Sequence, residues 1–364
     1  HMHCEFAELA LVAARVRELG GEIEREAAEH GVPAAALLDI GEAVGNAVDL
    51  ARRTEEFGYR RFWIAEHHNT GTFMSSATAL LIAHLGHDTR RIRLGSGGVM
   101  LPNHSPLMVA EYYGTLATLF PDRIDLGLGR APGTDPMTAS ALARRSAELD
   151  DVASDVAMLS RWLGDEPENA VGSVRAVPGG GTGVPLWMLG SSTGGAAVAA
   201  ALGLPFSFAS HFAPAQLRQA LDLYRQNFTA DAPTAQVDAP YVMAGVNALV
   251  APTTEEAEHL FTTSQQMAAA IRSGRPQALQ PPVEDITRVV PEELLRMADG
   301  HGVRMVGDPT QVTDQLQAFV DEYALDEVIT TTYTFDPAMR VRSAELLADA
   351  DRASAGKEDL GAYP

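Results

Sequence analysis

Short apolar runs alternate with longer amphipathic stretches along most of this chain. Phe62-Trp-Ile64, Ile92 to Ser96, Ile124 to Leu128, Leu186 to Leu189, Phe206 to Ala209, Val242 to Val250 and Glu327 to Thr332 have the length and residue types of strands. Between them, helical spacing predicts helices over 42–57, 76–86, 106–119, 139–163, 193–202, 214–227, 254–271, 309–323 and 336–350. Gly58 marks one helix end, ahead of the strand at 60–65. Ala36-Leu-Leu-Asp-Ile40 reads equally as a first strand or as a helical turn. Upstream, Phe6, Leu9, Val12, Val16 and Leu19 recur at helical spacing and predict an amphipathic helix over 5–30, closed by Gly31 and Pro33. Counted with the ambiguous run, the alternation gives eight strand-helix units with no break in composition. That favours a single TIM (β/α)8 barrel over an open doubly wound sheet. The expected organisation is a helical extension over 1–34, the barrel over 35–352 and a fraying polar tail over 353–364. Residues 263–303 lack strand periodicity and read as an insertion before the last strand.

In folds of this kind, chemistry collects where strands end. The run Arg61-Phe-Trp-Ile-Ala-Glu-His-His-Asn69 ends a strand in an acid, the two imidazoles of His67 and His68, and an amide, groups able to exchange protons and hydrogen bonds. The alternative is a pair of surface or core histidines. Gly97 and Gly98 close the next strand and allow backbone to approach a flat ligand, although a flexible loop would use them equally. Arg130 follows Gly127-Leu-Gly129 and has the forked geometry that suits phosphate, or a neighbouring carboxylate. Ser191, Ser192 and Gly195 join a strand to an Ala-rich helix, where free amides and the helix dipole favour an anion. Simple N-capping by serine would give the same sequence.

Composition narrows the partners. A formal charge of −21 over 364 residues argues against nucleic acid and against an anionic membrane surface. Cys4 is the only cysteine, so neither an intrachain disulfide nor a thiolate cluster is available. No apolar stretch has the length of a membrane span, and no secretion signal opens the chain, where His1-Met2 reads as a cloning remnant. The sequence therefore predicts a cytoplasmic protein. His84, His87, His104 and His211 add to the histidine count, but no His-Glu-x-x-His pattern occurs and no metal site is expected. Triphosphate-loop and serine-hydrolase elbow motifs are also absent.

Taken in order, four motifs carry a resemblance: Phe-Trp-Ile-Ala-Glu-His-His-Asn, Gly-Ser-Gly-Gly-Val-Met-Leu-Pro-Asn-His-Ser-Pro, Phe-Pro-Asp-Arg-Ile-Asp-Leu-Gly-Leu-Gly-Arg-Ala-Pro-Gly-Thr-Asp and Trp-Met-Leu-Gly-Ser-Ser-Thr-Gly-Gly. The chain resembles the bacterial luciferase-like, flavin-dependent monooxygenases, closely from Val48 to Phe212 and more loosely to Ala350. The resemblance implies a barrel that binds reduced FMN from a separate flavin reductase and uses molecular oxygen on a small organic substrate, as in natural-product tailoring. It makes His67 and His68 the catalytic candidates. Asn69, Gly97, Gly98, Arg130, Ser191, Ser192 and Gly195 become the cofactor-binding ones, with a non-proline cis bond at the glycine pair. A homodimer is also implied. One departure is that a longer leader precedes Leu37-Leu-Asp39, and Gly41 runs almost directly into a helix where the family has a pocket-walling loop. Another is Gly129, which stands where luciferases carry a reactive cysteine, so thiol chemistry is excluded there. Two other readings remain: a deazaflavin-dependent hydride-transfer oxidoreductase, and a flavin-free barrel that only binds a ligand.

Overall fold

A computed structural model describes residues 35–354, apart from 71, 167–168, 276 and 300–301; the side chains of 35–40 and 297–299 are also outside the description. The expected helix over 5–30 lies outside these residues. By its contacts the chain falls into two units, 1–49 and 50–364, divided within the first described helix. That helix, α1 (Ala35–Phe57), takes in the ambiguous run, which is helical here and not a strand. In its second half Ala51, Thr54 and Phe57 are buried at a spacing of three, which places them on one helix face.

The second unit is a curled, all-parallel sheet. Strands β1 (Arg61–Ile64), β2 (Arg93–Ser96), β4 (Ile124–Gly129), β5 (Leu186–Gly190), β6 (Phe206–Phe208), β7 (Val242–Val250) and β9 (Glu327–Thr331) follow one another around it. Two further strands pair beside this path: β3 (Val99–Met100) on β4, and β8 (Arg304–Gly307) on β7. The short β8 lies just after the segment expected to be an irregular insertion. That segment itself holds the end of helix α8 (Thr254–Arg272) and helix α9 (Glu292–Asp299). No strand pairs β9 with β1 among the described residues, so the eighth barrel strand expected from the sequence is not among them. Every residue of β4 is buried, whereas every residue of β1 and β9 is half-buried, as the two ends of a curled sheet should be.

The strands' period of two sorts their side chains between the helix-covered outside and the curled interior. Leu94, Leu126, Leu186, Phe206 and Val242 are buried and alternate with the interior positions. Inside, Arg61 Nη1 donates to Asp125 Oδ2 at 2.7 Å and Arg61 Nε to Glu327 Oε2 at 2.9 Å. Arg93 Nη2 donates to Asp125 Oδ1 at 2.7 Å, and Trp63 Nε1 to Asp125 Oδ2 at 3.1 Å. Burial opposes the charge on Arg61, but Asp125 and Glu327 outweigh it and hold the guanidinium pKa above its ordinary value. Glycine is required at 95, because an added Cβ would come within 2.8 Å of both Asp125 Cβ and Trp63 Nε1. This polar floor links the two end strands and leaves the carboxyl ends of the strands open for chemistry.

Candidate functional site

Past β1, Glu66 is 1 % exposed and gathers several groups that lie far apart in sequence. His68 Nε2 stands 2.9 Å from Glu66 Oε1, and His104 Nε2 stands 2.9 Å from the same oxygen. Met100 N–H donates to Oε2 at 3.1 Å and Asn103 Nδ2 to Oε1 at 3.2 Å. Burial alone would raise the Glu66 pKa; the bonds from His104, His68 and Met100 outweigh it and hold the carboxyl below the ordinary range. Its contribution to stability is therefore complete above the ordinary carboxylate pKa and is lost as pH falls through the lower, folded-state value. Glu66→Ala should lower stability by about 2–3 kcal/mol at neutral pH, as expected for lost bonds to a charged acceptor. Much of that difference should vanish in acid. Urea unfolding of both proteins at neutral and acidic pH checks this.

His67 points elsewhere. Its ring stacks on Phe73, with centroids 4.9 Å apart and planes inclined by 27°, and Phe73 in turn lies 6.0 Å from the ring of Tyr333 beyond β9. Burial pushes the His67 pKa below its ordinary value, while the Gly133 carbonyl and Glu66 oppose the shift. The shift favours the neutral imidazole, the form that can accept a proton. The adjacent side chains separate in role as strand-end geometry requires: His68 is bonded to Glu66 and His67 faces the rings. Asn69, at φ +52°, donates from Nδ2 to Asp135 Oδ2 at 3.1 Å, and Asp135 caps the helix α4 (Pro136–Ala141). The structure thus gives Asn69 a role in fixing that turn.

The glycine pair closes β2. The Gly97–Gly98 peptide is cis, and Gly97 N–H donates to Ile64 O at 2.8 Å. An added Cβ at Gly97 would press on Trp63 at 3.2 Å, and one at Gly98 on Gly127 O at 2.9 Å, so the backbone lies flat against its neighbours.

The anion elements converge on one corner. Ser192 is the N-cap of helix α6 (Thr193–Leu202), yet its hydroxyl makes no capping bond, and neither Ser191 nor Ser192 bonds to protein through its side chain among the described residues. Ordinary capping therefore does not explain these serines. Arg130 Nη2 lies 3.7 Å from the place a Cβ on Gly194 would occupy, over the first turn of α6. Gly195 packs helix on strand, since its added Cβ would lie 3.3 Å from the Gly190 Cα. Sequence reasoning missed Arg144. Its Nη2 donates to Arg130 O at 2.5 Å and its Nη1 to Asn103 Oδ1 at 2.7 Å. Burial first, and then the Arg130 guanidinium, lower the Arg144 pKa, so two like charges crowd the corner. Thr193 N–H is already bonded to Gln216 Oε1 at 3.2 Å, but two unbonded hydroxyls, the start of a helix and the Arg130 guanidinium fit a phosphate. Among the described residues no group of three acidic, cysteine or histidine side chains is placed to hold a metal ion. No helix there is long and apolar enough to cross a membrane.

Comparisons with known proteins give the family. The sequence profile of the luciferase-like monooxygenases matches residues 14–326. The uncharacterized protein YvbT of Bacillus subtilis is 47% identical over 312 residues, covering 85% of this chain and 91% of its own. A luciferase-like monooxygenase of Escherichia coli K12 is 46% identical over 310 residues, covering 85% of this chain and 91% of its own. Among solved structures, apo-MsnO8 is 32% identical with a TM-score of 0.74, covering 86% of this chain and 94% of that one. Two more distant structures share the fold alone. One is the FMN-bound oxygenating constituent of 3,6-diketocamphane monooxygenase from Pseudomonas putida, at 17% identity, TM-score 0.62 and coverage of 87% and 94%. The other is an F420-dependent secondary alcohol dehydrogenase, at 15% identity, TM-score 0.62 and coverage of 84% and 94%. By profile, identity and coverage, the chain belongs to the luciferase-like monooxygenase family.

Proposed function

We propose that the protein is an FMN-dependent monooxygenase that receives reduced FMN from a separate reductase and oxygenates a small organic substrate. The observation that carries this reading is the corner where Arg130, held by one weak bond to Ala147 O at 3.3 Å, meets the first turn of α6 beside the unbonded hydroxyls of Ser191 and Ser192. Those residues would hold the FMN phosphate, with Arg144 supporting Arg130 from behind. The flat Gly97–Gly98 backbone would lie beneath the ring system. Reduced flavin, when bound, supplies the electrons that activate oxygen. His67, neutral and stacked on Phe73, would move the protons of the reaction, and the Phe73 and Tyr333 rings would keep water from it. His68, bonded to Glu66, would hold the strand end in place. Exposed Leu80, Met108, Tyr112 and Leu119, on helices α2 (Thr78–Asp88) and α3 (Pro106–Leu119), support the expected homodimer.

Two measurements test this reading. Reduced FMN mixed with the protein and then with oxygen should reoxidise more slowly than free reduced FMN; an equal rate would count against a protected flavin site. His67→Asn should lower coupled turnover by roughly 100-fold or more, the scale of one proton-transfer group, and leave reduced FMN affinity nearly unchanged. Turnover in the native enzyme should fall on acidification only below pH 6.5, because the imidazole must be neutral and its pKa is depressed. An acid limb above that value would contradict the assignment. The fold shared with an F420-dependent enzyme keeps deazaflavin-dependent hydride transfer as the second reading.

A further inference from the structure

The proposed chemistry uses His67 and leaves a second interior imidazole unassigned. His211 stands just beyond β6, and its ring lies over Gly245 of β7. Gly245 shares a sheet face with Met243 and Asn247. Its register partner on β9 is Ile329, two residues after Glu327, which bonds Arg61 across the curled interior. The ring therefore sits inside the curl, above the polar floor.

The local structure is arranged around that ring. An added Cβ on Gly245 would overlap His211 Nδ1, and one on Gly302 would overlap the His211 carbonyl. Asn247 Nδ2 donates to the His211 carbonyl at 2.5 Å, and Thr331 Oγ1 donates to Asn247 Oδ1 at 2.9 Å, which fixes the direction of the amide. Ser210 Oγ donates to Gly245 O at 2.6 Å, and Val303 N–H donates to Ser210 O at 2.8 Å. Strands β7 and β9 and the segment before β8 thus all hold one histidine in one orientation.

Its protonation follows from the same geometry. Nδ1 is buried and has no hydrogen-bond partner among the described residues. A buried N–H without an acceptor is the rarer and costlier of the two orphaned states, so the ring proton belongs on Nε2. The residue as a whole is only half-buried. Nδ1, Cε1 and Cγ are the ring atoms nearest Gly245, so Nε2 lies on the edge turned away from it. Burial, and then the neighbouring His67, push the pKa down to about 4, which keeps the ring neutral.

We infer that His211 is a fixed, neutral Nε2–H donor of the substrate pocket, and that it selects substrates carrying an oxygen acceptor such as a carbonyl, amide or sulfoxide. A donor locked in a low-dielectric mouth discriminates strongly, because a substrate lacking the acceptor leaves the N–H unpaired. The inference deepens the monooxygenase reading by naming what its substrate must carry, but the atoms involved need no flavin to be observed.

Long-range proton–nitrogen correlation spectra of the full chain, labelled with 15N-histidine and free of flavin, provide the test. The signals missing from His211→Asn identify His211. Its Nδ1 should fall in the unprotonated range and its Nε2 in the protonated range, unchanged between about pH 8 and about pH 6. Dimethyl sulfoxide, a small strong acceptor, should move the Nε2 signal and leave Nδ1 nearly fixed. In Gly245→Ala, which displaces the ring, this response should disappear while the circular dichroism spectrum is retained. A proton on Nδ1, a charged ring near neutral pH, or an Nε2 signal indifferent to the acceptor would each overturn the inference. Because no flavin is present, such a failure is separate from any failure to bind FMN.

Discussion

Arg130→Ala should weaken binding of reduced FMN by roughly 10- to 100-fold, the worth of a charge-assisted bond to phosphate, about 1.5–3 kcal/mol. The loss should be specific to the phosphate. Reduced riboflavin, which has the same ring system and no phosphate, should bind native protein and variant alike. Arg130→Lys should recover only part of the affinity, since an ammonium supplies the charge but not the fork. The side chain is suited to this experiment because its one weak bond within the protein, Nη1 to Ala147 O at 3.3 Å, has little structural weight. Anaerobic fluorescence titrations with the two flavins give the answer. Equal losses for both would remove Arg130 from the phosphate site and point to a general loosening of the strand end.

The largest effect on stability should come from Asp125→Asn. Asp125 is fully buried and receives bonds from Arg61, Arg93 and Trp63. Removing one partner of a buried charge cluster costs about 3–5 kcal/mol, since two guanidiniums are left short of an anion. Glu327 still compensates Arg61 in part, which favours the lower end of that range. For a unit of this size the midpoint of thermal unfolding should fall by roughly 5 °C. A fall of under about 2 °C would show that the floor inside the sheet contributes little, whatever its geometry. Arg53→Ala serves as the contrast, because its pair with Glu56 is exposed and should change stability very little.

Most of this fold was legible in the alternation of apolar runs and helical stretches, and β2, β4, β5 and β9 also end in glycine or a hydroxyl residue. The exceptions have physical reasons. Ala36-Leu-Leu-Asp-Ile40 is too short for periodicity to separate strand from helix, and the structure continues helix α1 through it. Strand β8 has four residues, Arg304 to Gly307, of which only Met305 and Gly307 are buried, so it carries almost no pattern of its own. At the site, Arg130 and the two serines were readable because each sits directly past a strand, where the top of the sheet brings them together. Glu66 and His104 were not, although both lie inside the quoted motifs, since their bond joins residues 38 apart. Arg144 had no local signal, as it comes from the irregular stretch after α4. The signal for His211 lay in glycines at 245 and 302, and only the folded register shows that the first faces its ring and the second its carbonyl.

Anaerobic titration of the full chain with reduced FMN and, in parallel, with a reduced deazaflavin tests the central claim most directly. The geometry of the anion corner, together with a neutral His67 at the mouth, predicts saturable binding of reduced FMN that is markedly tighter than that of reduced riboflavin. It also predicts no preference for the deazaflavin. Tight deazaflavin binding without reduced FMN binding would contradict the account and favour hydride transfer, and binding of neither would leave a barrel that acts without flavin.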